Sequence, residues 1–266
     1  MEHVFFNIDL VNTPTSLTFI SEHPTDFYCY SADYREDGDL LLGCGDGLRL
    51  LRREDMQMIR YNTNARGVTS AIEHHRNVFV LHKDGNTVIV EMCLPGVTQK
   101  NKLFELQRTD NTASFLAVSD KYVVAINPDN NQLVLYNFLT KQTTTLTLEL
   151  APWDVYFLLD GDLLVLSRSQ YKSLTRYRIE NNQLTKVWTC EDLTDGHSVC
   201  TDSDGLIYVS TRNKRKILYV LSTTGMCTRV YPVSILLLPL SCANLILVQY
   251  SCLIVILLTD ACSLSF

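Results

Sequence analysis

Apolar runs of strand length recur along the chain at residues 40–43, 78–81, 122–125, 163–166 and 207–209. Each is followed, after a polar turn, by another at 48–51, 88–90, 133–136, 174–177 and 217–220. Runs this short, rich in Leu, Val and Ile and bounded by Gly, Asp and Asn, predict strands joined as hairpins. Both middle strands are apolar at successive positions, so both faces of each sheet are expected to be covered, which excludes a one-layer sheet. Residues 143–150 alternate instead, with Leu146, Leu148 and Leu150 set between Thr145, Thr147 and Glu149, the pattern of a half-exposed rim strand. No stretch carries helical periodicity over three turns.

The second strands start near Leu40, Val78, Tyr122, Leu163, Ile207 and Leu245, at intervals of 38 to 44 residues. That period matches the roughly 40–50 residues of a four-stranded propeller blade. The predicted fold is all-β: a six-bladed β-propeller of four-stranded antiparallel blades at 26–62, 67–108, 113–150, 153–190 and 197–230, with a degenerate last blade at 234–266. Residues 1–24 hold two more candidate strands, at 4–10 and 16–20, around a turn at Asn12, Thr13, Pro14 and Thr15. A propeller must join its first and last blades, so 16–20 is expected to be the outer strand of the last one, with Leu17 and Phe19 facing inward. The last segment has no charge between Arg229 and Asp260 and is densely apolar. A membrane tail anchor near 235–258 and a segment foreign to the fold are the alternatives to a blade there. Pro239, Ser241, Asn244, Gln249 and Ser251 cut the run into strand-length pieces, which favours the blade.

One repeat carries wording as well as spacing. Asp202, Ser203, Asp204 and Gly205 precede Ile207, Tyr208 and Val209; the basic turn 212–216 follows, then Ile217, Leu218, Tyr219, Val220 and Gly225. This resembles the NHL repeat, with its Asp-x-Asp-Gly turn, Ile-Tyr-Val strand, polar turn, second strand and terminal Gly. Asp37–Gly38–Asp39 and Asp160–Gly161–Asp162 are partial echoes; the other repeats match in spacing and apolar pattern only. The resemblance implies a six-bladed propeller like the C-terminal domain of tripartite-motif NHL proteins, binding proteins or, in some members, RNA. The zinc-binding RING and B-box modules of those proteins have no counterpart in this sequence.

Composition narrows the partners. With 266 residues and 46% hydrophobic content, the chain can bury a sizeable core as one all-β domain. A net charge of −6 and a pI near 5.5 argue against binding nucleic acid or an anionic membrane through the overall field, so any basic site must be local. The first ten residues lack the cationic and long apolar regions of a secretory signal, and a cytoplasmic monomer is expected. The nine cysteines are odd in number, scattered and never spaced Cys-x-x-Cys, which reads as core thiols; Cys44, beside Gly45 in a turn, is the one to test for reactivity.

Candidate chemistry is sparse, and neither a catalytic residue nor a metal or cofactor is assigned. Glu73, Asp154, Asp195 and Asp202 lie near inner-strand ends, where some propeller lactonases and esterases gather oxygens around calcium; Asp202 and Asp204, however, already have a turn-forming role. His74, His75 and His82, and Asp195 with His197, raise a metal, but adjacent residues on a strand point to opposite faces, so His74 and His75 cannot easily share one ion, and these histidines are read as solvated strand-end residues. Trp153 and Trp188 are expected to pack between blades. No Gly-x-Ser-x-Gly elbow, phosphate loop or dinucleotide fingerprint occurs.

The turns between second and third strands should all emerge at one end of the ring. There blades one to three bring Asp46, Asp84 and Asp129, whereas blades four and five bring Arg168, Lys172, Arg212, Lys214, Arg215 and Lys216. The function expected is a non-enzymatic protein-interaction module whose basic sector docks an acidic protein segment. An RNA-binding NHL propeller is the first alternative, and a calcium-dependent lactonase- or esterase-like hydrolase the second. The competing reading of the basic residues is a solvated hairpin tip.

Overall fold

The computed structural model describes residues 2–8, 17–24, 29–35, 37–55, 57–61, 66–94, 100–107, 115–127, 131–167, 173–191, 193, 196–202, 204–211, 217–232, 243–250 and 253–260, with 2–8, 17–24, 217, 231–232, 243–250 and 253–260 described by backbone pairing alone. The described chain is all strand and turn. After β1 (Glu2–Ile8) and β2 (Leu17–Pro24), blade 1 comprises β3 (Cys29–Tyr34), β4 (Leu40–Cys44), β5 (Gly47–Leu51) and β6 (Met58–Arg60). Blade 2 comprises β7 (Val68–His74), β8 (Asn77–Asp84), β9 (Thr87–Cys93) and β10 (Lys100–Gln107). Blade 3 holds β11 (Leu116–Val118), β12 (Tyr122–Asn127), β13 (Gln132–Asn137) and β14 (Gln142–Thr147). Blade 4 holds β15 (Pro152–Phe157), β16 (Leu163–Ser167), β17 (Leu174–Glu180) and β18 (Gln183–Cys190). Blade 5 holds β19 (Gly196–Thr201), β20 (Ile207–Thr211), β21 (Ile217–Leu221) and β22 (Cys227–Pro232), and β23 (Ala243–Tyr250) and β24 (Leu253–Asp260) follow.

Each blade is a four-stranded antiparallel meander, so the molecule is a β-propeller. Five blades are described with their side chains. The two ends of the chain form one more four-stranded sheet, in the order β2-β1-β24-β23. First strands lie against one another in sequence, β3 on β7, β7 on β11, β11 on β15, β15 on β19, β19 on β23 and β23 on β3. In this shared sheet, therefore, β23 is innermost and β2 outermost, the place expected for residues 16–20. The expectation for Leu245 needs correcting: it lies in β23, a first strand, and the second strand is β24. The sheet takes its outer pair from residues 2–24, so 234–266 supplies only two of its strands. The 235–258 stretch weighed as an anchor contributes β23 and much of β24, and among the described residues no helix is long and apolar enough to cross a membrane.

The core lies between blades. Successive side chains on a strand point to opposite faces, so each second strand feeds two clusters. Phe79 and Leu81 pack with Val123 and Ala125 of blade 3, while Val78 and Val80 pack with Leu41 and Leu48 of blade 1. Likewise Val124 and Ile126 meet Leu163 and Val165, and Leu164 and Leu166 meet Val199, Ile207 and Val209. This two-sided burial is why the second strands are continuously apolar. Fourth strands are the more exposed: β14 alternates exposed and half-buried positions, with Leu146 and Leu148 on the side packed against blade 4, while β10 still buries Phe104 and Leu106.

Trp188 packs across a blade boundary as expected, lying over Gly225 of blade 5. A Cβ on Gly225 would sit 2.6 Å from the indole, and its φ of +81° lies in the left-handed region that favours glycine. Trp153 stands between Phe115 and His197, with ring centroids 6.2 and 5.4 Å away.

Residues 2–24 cover the outer edge of β24 with β1 and that of β1 with β2. Deleting residues 1–24 is expected to lower stability by several kcal/mol and leave β24 as an open edge prone to self-association. Thermal melting with light scattering checks this; an unchanged midpoint in the truncated protein would contradict the pairing.

Candidate functional site

A first strand pairs within its own sheet on one side only, and its other edge faces the ring axis and the neighbouring blade. Four of the six described first strands break register once, between Cys29 and Ser31, Val68 and Ser70, Pro152 and Asp154, and Gly196 and Ser198. An irregularity of this kind re-aims the residue beside it. The residue after each break is polar. Ser31 Oγ accepts from the Ala71 N–H at 3.0 Å, and Ser70 Oγ accepts from the Leu116 N–H at 3.3 Å. Asp154 Oδ2 accepts from both the Val199 N–H and the Ser198 hydroxyl at 2.8 Å. In these three cases a side chain of one blade satisfies a backbone donor on the first strand of the next, whereas Ser198, after the fourth break, donates its hydroxyl back to Asp154. Asp33 repeats the device two residues on, accepting from the Glu73 N–H at 2.9 Å, and Arg35 Nε closes the seam on Glu73 Oε2 at 2.5 Å.

These bonds assign the carboxylates that the sequence offered as calcium ligands. Glu73 is paired to Arg35, Asp154 is saturated by Ser198, Val199 and its neighbour Val155, and Asp202 accepts from the Asp204 and Leu206 N–H groups and from the fully buried Tyr208 hydroxyl. Asp195 lies outside the described residues. The Asp-Gly turns between first and second strands are one structure used three times. In each, a glycine with φ of +80 to +87° donates to the residue three back: Gly38 to Arg35 O, Gly161 to Leu158 O and Gly205 to Asp202 O. In this register Asp37 and Asp160 correspond to Asp204, and Asp202 stands where Arg35 and Leu158 stand.

Burial pushes Asp33 up to about 7, with the neighbouring Glu73 carboxylate adding to it, and pushes Asp154 up to about 6 against the donors that favour its charged form. Burial pulls His82 down. His82 is not solvated: it is buried on β8, with Nε2 3.2 Å from Glu91 Oε2, and Lys100 Nζ reaches the same oxygen at 3.3 Å. Cys44 is not poised for reaction either. It is fully buried opposite Cys29, and its thiol is pushed well up, first by the hydrogen bond to Cys29 and then by burial.

The pairing sense of the strands puts the turns between first and second strands, and between third and fourth, at one end of the ring, here the 1–2 end. Turns between second and third strands and the links between blades are at the other, the 2–3 end. Asp46 and Asp84 are at the 2–3 end as expected. Arg168, Lys172, Arg212, Lys214, Arg215 and Lys216 lie outside the described residues, in the sequence between β16 and β17 and between β20 and β21, as does Asp129 between β12 and β13.

Two features of the 1–2 end were missed in the sequence. The first is a set of large apolar side chains on turn tips: Leu139 is 91% exposed, Leu159 84% and Met226 69%. The second is a convergence of His74, His75 and Asp120. His74 and His75 do not point to opposite faces, because the strand ends at His74 and His75 sits in the turn with φ +49°, followed by Arg76 at +62°. Both Nε2 atoms lie 2.8 Å from Asp120 Oδ1 in the corresponding turn of blade 3, and the two rings are 4.2 Å apart. Hydrogen bonds from His75 and then His74 hold the exposed Asp120 carboxyl below its usual range.

No family model matches the chain, and no curated protein matches it in sequence. Solved structures do match in fold. A protein of unknown function from Bacteroides caccae superposes with a TM-score of 0.61 at 12% identity, covering 88% of this chain and 95% of that one. A chain of a nidogen/laminin complex gives 0.67 at 9% identity, covering 87% and 93%. A putative 6-phosphogluconolactonase from Bacteroides uniformis gives 0.57 at 11% identity, covering 86% and 78%. At these identities the likeness is one of fold, and it agrees with the β-propeller traced above.

The seam carboxyls yield a pH test. Unfolded aspartate titrates near about 3.9, so Asp154 and Asp33 bind protons more tightly in the folded chain. Their contribution to stability is full below about pH 4 and is lost as pH rises through about 6 for Asp154 and 7 for Asp33. The stability difference between wild type and Asp154→Asn should therefore shrink from pH 4 to pH 6 and then level off, measured by urea unfolding. A difference that grows across that range would contradict the burial argument.

Proposed function

We propose that the chain is a six-bladed propeller of the NHL kind and acts as a non-enzymatic protein-interaction module. The observation that carries this reading is the display of Leu139, Leu159 and Met226 in water on turns of three successive blades at one end. Single exposed apolar residues are ordinary, but these turns are laced into one face. Asn137 Nδ2 of blade 3 donates to Asn182 Oδ1 of blade 4 at 3.3 Å, and Arg176 of blade 4 donates to the Thr223 carbonyl of blade 5 at 3.2 Å. Apolar tips on a rigid support are what a partner buries at the centre of an interface. The described carboxylates near the axis are committed to protein donors, which favours binding over calcium-assisted hydrolysis. The nidogen/laminin structure is itself a complex of proteins, and the chain matched there shares this fold.

The basic turns at the 2–3 end, with Arg168, Lys172, Arg212, Lys214, Arg215 and Lys216, are proposed as a second contact, for an acidic protein segment. RNA is the alternative ligand for that sector, read from the NHL resemblance. Retention of native-lysate proteins on immobilised chain tests the proposal with two triple variants. Leu139→Ser/Leu159→Ser/Met226→Ser should abolish retention of the principal partner, and Arg212→Glu/Lys214→Glu/Arg215→Glu should slow association at low ionic strength. Retention unaltered by both variants would overturn it. Binding of RNA homopolymers that falls steeply with salt and is lost in the Glu variant would favour the RNA reading.

A further inference from the structure

We infer that His74, His75 and Asp120 form a binding site for one divalent transition-metal ion, of which zinc is the natural probe, bridging blades 2 and 3. The ligand atoms are in place: two imidazole nitrogens and one carboxylate oxygen, all within 4.8 Å of one another. Two nitrogens and one oxygen suit zinc, cobalt, nickel or copper and do not suit calcium or magnesium, which take oxygen ligands. In a tetrahedral site with bonds of about 2.0–2.1 Å, ligand atoms stand roughly 3.3–3.4 Å apart. The present Nε2–Oδ1 separations are 2.8 Å, so each needs to open by about half an ångström. The side chains of His75 and Asp120 are 70% and 76% exposed, which gives them room to do so and leaves a fourth position for water.

The backbone gives an independent reason to read this turn as more than a connection. A two-residue hairpin with both residues in the left-handed region favours Asn, Asp or Gly. Blade 4 obeys that rule with Asn181 and Asn182, at φ +52° and +60°. Blade 2 places His75 and Arg76 in the same conformation, an unfavourable pair for the turn itself. That strained backbone swings His75 onto the side of His74 and over Asp120 of the neighbouring blade. The Asn77 amide donates to the His75 carbonyl at 3.3 Å and braces the turn. Arg76 and Lys121 flank the cluster, so the site attracts an ion by ligand chemistry and not by a negative field.

The test is calorimetric titration of the untagged, chelator-treated 266-residue chain with zinc, repeated with cobalt to read the visible absorption of a four-coordinate nitrogen–oxygen site. The expected result is one zinc per chain, with calcium and magnesium silent. Asp120→Asn and His75→Asn should each weaken zinc binding by about tenfold or more. Asn accepts the left-handed turn, so His75→Asn should melt no lower than wild type in chelator, which separates loss of ligand from loss of fold. Cys227→Ser controls for the one thiol exposed among the described residues and should bind as wild type does. No binding of zinc, or binding unaltered by His75→Asn and Asp120→Asn, would overturn the inference.

Discussion

The first strand of each blade has one edge that no strand of its own blade covers, and the ring holds together by the way those edges are satisfied. A backbone N–H buried without an acceptor costs about 1–3 kcal/mol, and a ring of first strands multiplies that demand. Here a polar side chain just after a break in register meets it across the seam: Ser31 for Ala71, Ser70 for Leu116 and Asp154 for Val199. The apolar clusters between blades supply the larger, non-directional part of the stability. The seam bonds add direction, setting the height at which one blade sits against the next.

This division of labour bears on function. Among the described residues, polar groups on the first strands and at their ends are engaged in structure, Glu73 with Arg35 and Asp202 with Tyr208. What varies from blade to blade is at the ends. One end gathers the apolar tips of blades 3 to 5 and the His–His–Asp convergence between blades 2 and 3; the other carries Asp46 and Asp84. A scaffold held rigid by its seams can present different chemistry on each turn without altering its core.

The blades were legible because covering both faces of a strand removes polar residues from it: the starts of β4, β8, β12, β16 and β20 lie at or within a residue of those read from apolar runs alone. Leu245 was misplaced because β23 and β24 are equally apolar, and apolarity alone does not tell a first strand from a second. The seam residues were illegible for a different reason. A serine in a strand reads as a half-exposed position, and nothing in the pattern marks the break that turns it toward the next blade. His74 and His75 were misread because alternation of faces holds only while the strand continues, and the chain turns at His75. A histidine followed by an arginine where a hairpin calls for Asn or Gly was the available signal. The Asp-Gly wording marked the turns correctly, yet Asp202 proved to be a strand-end acceptor for Tyr208 as well as a turn former.

Amide hydrogen exchange of the native protein tests the seam directly. The N–H groups of Ala71, Glu73, Leu116 and Val199 face out of their own sheets, and side chains of the neighbouring blade accept from them. If those bonds close the ring, these four amides exchange as slowly as ladder amides of the second strands, and Ser70→Ala accelerates Leu116 selectively. If the four exchange as fast as amides on solvated turn tips while the second strands stay protected, the blades are held by apolar packing alone and the account is wrong.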